Sequence, residues 1–88
     1  MLAAEYTNAF LKDTKKMIRR GKPKSKLSDV LFMLINEEQL PAKYRNHKLT
    51  GNYRDHWECH IEPDWLLIYK VIGKTLVLVR TGTHSDLF

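Results

Sequence analysis

The chain has a single cysteine, Cys59, so no internal disulfide can form. That usage fits a reducing compartment, and the expected location is the cytoplasm. No apolar run approaches the roughly 20 residues that a membrane-spanning helix needs, so no membrane partner is expected. The opening MLAAEYTNAF has no basic segment ahead of an apolar one, which argues against a signal peptide. Repeats, low-complexity tracts and linkers are all missing. The expectation is one domain over residues 1–88 with a modest core.

Several catalytic signatures are missing too. There is no CxxC or HExxH pattern for zinc, no GxSxG nucleophile elbow and no glycine-rich phosphate loop. Cys59 falls on an apolar face and reads as a small core residue. Of the four histidines, His56 and His60 are four apart. On a strand that spacing separates them by about 13 Å, too far to share an ion. Cys59 points away from His60. The sequence therefore predicts no metal site.

What is present is a basic excess on a globular composition: 43% hydrophobic, 28% charged and a net charge of +5. Eight of the 15 Lys and Arg lie between Lys12 and Lys26, against one acid, Asp13. Such density suits a surface that faces phosphates or an acidic protein.

The first half reads as helical. Met1–Tyr6 suits a short opening strand. Thr7 and Asn8 are good helix caps, and Phe10, Leu11, Thr14, Met17 and Ile18 recur at helical spacing until Gly21. Leu27, Val30, Leu31, Leu34 and Ile35 form one face of a second helix ending before Pro41. From Tyr53 the period changes to two, with Trp57, Cys59 and Ile61 opposite Glu58 and His60. Turn signals at Glu62-Pro63-Asp64 and Gly73-Lys74 separate WLLIYKV and TLVLVR, which gives an antiparallel meander. Helices first and a sheet after make an α+β domain, a helical hairpin packed on an antiparallel sheet.

The polar residues that remain suit metal-free RNA cleavage. RNA carries its own nucleophile, the 2′-hydroxyl. A protein need add only a base, an acid for the departing 5′-oxygen, and a cation for the charge on phosphorus. His47, His60, His84, Asp64 and Arg80 are the candidates. In a meander, the end of the first strand, the start of the second and the end of the third share one edge. That edge would collect His60, Asp64, Arg80 and His84.

Three segments, NHKLTG, ECHIEPDWLLIYK and RTGTHSDLF, together resemble the YafQ branch of the RelE-like toxins, of bacterial type II toxin–antitoxin pairs. The resemblance implies an mRNA interferase that cuts messenger RNA in the ribosomal A site. Its implied partners are mRNA, the ribosome and a cognate antitoxin, with no cofactor. Carried over by motif, His84 is the general acid, Asp64 or His60 the base, and Arg80 the cation at phosphorus. His47 positions substrate or shares the proton work. Phe88 and Trp65 would hold bases or the terminal geometry by stacking, although Trp65 suits the core better. Lys15, Lys16, Arg19 and Arg20 would grip RNA or meet an acidic antitoxin. One departure is Trp57, where the family usually has arginine; its apolar face marks it as packing. The rival reading is a non-catalytic module that binds nucleic acid or an antitoxin.

Overall fold

A computed structural model describes residues 1–88. Its elements run β1 (Ala3–Tyr6), α1 (Asn8–Arg19), α2 (Lys24–Ile35), β2 (His47–Lys48), β3 (Trp57–Glu62), β4 (Trp65–Ile72), β5 (Thr75–Gly82) and α3 (His84–Leu87). Short 3-10 turns at Ala42–Tyr44 and Gly51–Tyr53 flank β2. The five strands form one sheet in the order β1-β5-β4-β3-β2. The β3-β4-β5 meander is antiparallel as expected, and β2 adds antiparallel to β3. The opening strand pairs parallel to β5, so the sheet is mostly rather than wholly antiparallel. No helix is long and apolar enough to cross a membrane.

The hairpin forms because the chain supplies its stops. The Thr7 hydroxyl accepts from the Phe10 amide at 2.9 Å and donates to the Val79 carbonyl at 2.7 Å, capping α1 and tying it to β5. Gly21 takes φ 89° and turns the chain toward Pro23. The second helix carries the expected face and ends before Pro41, as predicted. It stops at Ile35, because Glu37 turns into a left-handed conformation at φ 58°.

The sheet has two unequal apolar faces. On one, Cys59, Ile61, Trp65, Leu67, Leu76 and Leu78 pack against Phe10 and Met17 of α1 and Leu27, Val30 and Leu34 of α2. Trp57 packs half-buried against this core, as its face predicts. On the other, Leu66 and Ile68 of β4 meet Leu87 of α3, with Leu49, Tyr53 and Val79 at the margin. Burial on both faces explains why β4 is a continuous apolar run. This second, smaller core is what positions the polar residues above it.

Candidate active site

Pairing puts the histidines on the second face. His47 in β2 stands opposite Glu58 in β3, and Glu58 and His60 are two apart, so all three point to the same side. His47 Nε2 lies 3.4 Å from Glu58 Oε1, and His60 Nε2 lies 3.6 Å from it. Glu58 itself is only 5% exposed. The rings continue as a row: His47 to His60 is 6.1 Å between centroids and His60 to His84 is 5.9 Å.

Each of the three imidazoles is held by its Nδ1. His47 Nδ1 lies 2.7 Å from the Arg45 carbonyl and His60 Nδ1 lies 3.3 Å from the Pro63 carbonyl. His84 Nδ1 lies 2.6 Å from Asp64 Oδ1. Carbonyl and carboxylate oxygens only accept, so Nδ1 carries the proton in each ring and Nε2 is left for chemistry. Between Glu58 and its two neighbours, a carboxylate faces two Nε2 lone pairs. Attraction there requires a proton shared among the three groups, or a cation.

Asp64 also accepts the His84 backbone N–H at 2.9 Å. That bond, followed by the one from the His84 ring, holds the Asp64 carboxyl below the usual carboxylate range. Asp64 is therefore a weak proton acceptor and holds His84 through both its amide and its ring.

Arg80 is held differently. Its Nε and Nη2 donate to the two oxygens of Asp13 at 2.6 and 3.1 Å, and Asp13 also accepts the Thr81 amide at 3.2 Å. Asp13 foremost, with a smaller contribution from Tyr53, raises the guanidinium pKa above its ordinary value. The fork is fixed on α1, and Nη1 remains for a phosphate.

The terminal segment is a helix, not the turn that its Gly, Thr and Ser suggest. Thr83 and Asp86 form a reciprocal capping box, with the Asp86 amide 3.2 Å from Thr83 Oγ1 and the Thr83 amide 3.0 Å from Asp86 Oδ2. Gly82 is required beside it, because a Cβ there would lie 3.0 Å from Asp86 Cβ. Arg20 donates to Asp86 at 2.7 and 3.1 Å, and Lys16 approaches it at 3.4 Å. Arg20, together with the Thr83 bonds, drives the Asp86 carboxyl far below its usual range.

Two expectations change as a result. Lys16 and Arg20 remain exposed but are engaged by Asp86, linking α1 to α3, while Lys15 and Arg19 are exposed with no acidic partner. Trp65 cannot stack on a base, because it is 0% exposed and its Nε1 donates to Thr81 Oγ1 at 2.9 Å. Phe88 does present a ring. It is 66% exposed and meets Tyr53 edge-on at 5.9 Å. His56 stays apart from the row, its Nδ1 on the Arg54 carbonyl at 3.0 Å.

The residues that sequence reasoning missed are Glu58, Asp13, Asp86 and Tyr53. Glu58 was legible as the same-face neighbour of His60, and Asp86 as the fourth residue of Thr-x-x-Asp. Nothing in the sequence marks Asp13 as the partner of Arg80. Strand spacing separates His56 from His60, but cross-strand pairing brings His47, Glu58 and His60 together, against the expectation of no metal-ligating cluster. Their ligand atoms lie within 4.8 Å of one another. Two imidazole nitrogens and a carboxylate are a donor set that suits zinc or copper.

A family model described as the bacterial toxin of the type II toxin–antitoxin system, YafQ, matches residues 2–88. The mRNA interferase toxin YafQ of Escherichia coli strain K12 is 44% identical over 85 residues, covering 96% of this chain and 92% of that protein. A copper-bound point mutant of a toxin from Helicobacter pylori superposes with a TM-score of 0.95 at 38% identity, covering 100% of both chains. The toxin in the E. coli DinJ–YafQ complex superposes with a TM-score of 0.92 at 42% identity, covering 100% of this chain and 99% of that one.

Proposed function

This chain belongs to the YafQ family of type II toxins, and from that premise we propose that it cleaves messenger RNA in the ribosomal A site by acid–base transfer among its own side chains. It is an mRNA interferase, the toxin half of a toxin–antitoxin pair. The observation that carries the mechanism is the row of three imidazoles, each with Nδ1 tied and Nε2 free.

The His60–Glu58 pair accepts the proton of the 2′-hydroxyl. The 2′-oxygen attacks phosphorus, the P–O5′ bond breaks, and a cyclic phosphate forms. His84 gives its Nε2 proton to the leaving 5′-oxygen. Asp64 holds the other ring nitrogen and balances the charge of the imidazolium that does this. Arg80 meets the charge that builds on the phosphoryl oxygens. His47 shares the proton held by Glu58. The site supplies few groups to free RNA, and alignment of the 2′-hydroxyl by the ribosome accounts for the dependence on it. The cytoplasm is the compartment where these partners meet, and an antitoxin is the protein partner, as DinJ is for the E. coli toxin.

A divalent ion fits the trio of His47, Glu58 and His60, where it would supply Lewis-acid charge but occupy the lone pairs that proton transfer needs. Cleavage is therefore expected to survive when the toxin is stripped with a chelator and returned to ribosomes in magnesium buffer. Loss of activity, restored by copper or zinc, would reverse that part of the mechanism.

Primer extension on programmed ribosomes tests the main claim. Codon-aligned cuts by the wild type should fall by about 10²- to 10⁴-fold in folded His84→Ala. Equal cutting by both would remove His84 from the chemistry. No cutting by the folded wild type would leave a binding module.

A further inference from the structure

Beside the histidine row a second cavity opens, and no role has yet been given to it. It is a cleft of about 510 Å³ between α2, the 3-10 turn at Ala42–Tyr44 and the end of β3. Its volume lies within the range of small-ligand sites. Its lining includes Asp29, Lys43, Tyr44, Arg45, His60 and Glu62. His60 lines the cleft and also belongs to the row, so the two adjoin at the edge of β3.

The charges in the cleft are unequal. Glu62 is fully occupied, with Lys22 at 2.7 Å and Lys26 at 2.8 Å. Neither Lys43 nor Arg45 has an acidic partner, and Asp29 is the one lining acid without a cation of its own. The Lys43 ammonium sits 5.1 Å from the centre of the Tyr44 ring, an exposed contact that is readily exchanged. Tyr44 is half-buried and packs on the main core, so its ring is held by the fold rather than by a ligand. Arg45 adopts a left-handed backbone at φ 49°, and its carbonyl takes the His47 ring N–H. The cleft wall and the histidine row are thus one piece of backbone.

A fixed aromatic ring with two free cations beside it matches the parts of a nucleotide. The ring takes a base and the cations take its phosphate. Tyr44 packs on the main core, whereas Tyr53, at the margin of the small core, forms a second aromatic pair with Phe88. A strand of RNA cut over His60 must continue on both sides. We propose that the cleft seats the nucleotide next to the cleaved bond, on the side away from Phe88, with its base on Tyr44 and its phosphate between Lys43 and Arg45. This rests on the reading of the row as an RNA-cleaving site.

Two variants probe the cleft without removing a group of the row. Tyr44→Leu keeps apolar packing on the core, and Arg45→Asn keeps a residue that tolerates the left-handed backbone. On programmed ribosomes both should raise the half-saturating toxin concentration, on the order of tenfold for the lost stacking, with the maximal single-turnover rate within about twofold. Lys74→Ala, at the far β4–β5 turn, should change neither. An unchanged half-saturation, or a fall in maximal rate alone, would overturn the assignment. In a second arm, folded His84→Ala is titrated with a trinucleotide carrying deoxyribose at the scissile position, followed by amide NMR. Shifts at Tyr44 and Arg45 that vanish in the Tyr44→Leu double variant support the cleft. Shifts confined to Tyr53 and Phe88, or none, overturn it. If the wild type cuts nothing, the cleavage reading fails, and this second arm still judges the cleft.

Discussion

At the scale of single residues, what distinguishes the three imidazoles is the acceptor on each Nδ1. His47 and His60 donate to neutral carbonyls, whereas His84 donates to a carboxylate. The Asp64 carboxylate fixes the ring from its Nδ1 side, so on the proposed mechanism His84 is the one placed to act as the acid. Asp64→Asn keeps an acceptor for the His84 amide but removes that charge. It is expected to slow the single-turnover step by roughly 10- to 100-fold while leaving ribosome binding unchanged. A change in binding with an unchanged rate would show that Asp64 serves only to place the loop. The complementary variant is Glu58→Gln. It is nearly isosteric, and in a position only 5% exposed it cannot recruit water as a substitute. Without a carboxylate the His47–His60 pair loses the acid that stands between them, so on the proposed mechanism cleavage should fall by about 10²-fold with folding intact.

At the scale of elements, the informative one is α3. A helix of four residues has no stability of its own, since nucleation costs more than one turn returns. It exists because Thr83 and Asp86 cap each other, Leu87 fills the small core, and Arg20 and Lys16 hold Asp86 from α1. This explains what was legible in the sequence and what was not. The hairpin and the meander follow from periods of 3.6 and two that persist over many residues. Both α3 and the two-residue β2 are too short to carry a period, and only tertiary partners hold them. In the same way the basic run gives no sign that Arg20 is spoken for, because its partner lies 66 residues away. The positions of His60, Asp64 and His84 were readable because strand ends in a meander must meet. Glu58 follows from the same period of two as His60, whereas Asp13 does not, since it meets Arg80 from a different element 67 residues away. Asp86→Asn should therefore act on catalysis at a distance. Amide exchange at Leu87 and Phe88 should quicken by roughly fivefold, as for a lost cap, and cleavage should fall with it. Arg20→Ala should do the same and Lys15→Ala should not. Normal exchange in Asp86→Asn would mean that the apolar contact of Leu87 suffices.

At the scale of the whole molecule, the shifted groups divide by location, and acid and alkali should attack different ends. The three acids held low are Glu62, Asp64 and Asp86. Each is more acidic when folded, so its contribution is complete above the ordinary carboxylate value of about 4 and is lost as pH falls through the folded value. All three tie down the site end: Glu62 fastens the α1–α2 link to β3, and Asp64 and Asp86 fasten α3. Apart from the arginines, which stay charged throughout, the two groups held high are in or beside the main core. Burial foremost pushes the Cys59 thiol up to about 12 and the Tyr69 phenol, which donates to Asn46, up to about 12. The folded chain keeps both protonated where an unfolded chain would ionise them, so their contribution is complete below about 8.5 and 10 and is lost progressively as pH rises from there through the folded value of about 12. Acid should thus release α3 and the end of β3 while the β4–β5 core stays protected, and alkali should unfold the chain as a unit. Amide exchange followed from pH 7 down to 3, with thermal melts from pH 7 up to 11, separates the two. Local loss of protection at Leu87 before Leu67 on the acid side, and a single falling melting temperature on the alkaline side, is the expected pair of results. Simultaneous loss at both leucines in acid would mean that the small core and the large one are a single cooperative unit, so that the catalytic end cannot open without unfolding the rest.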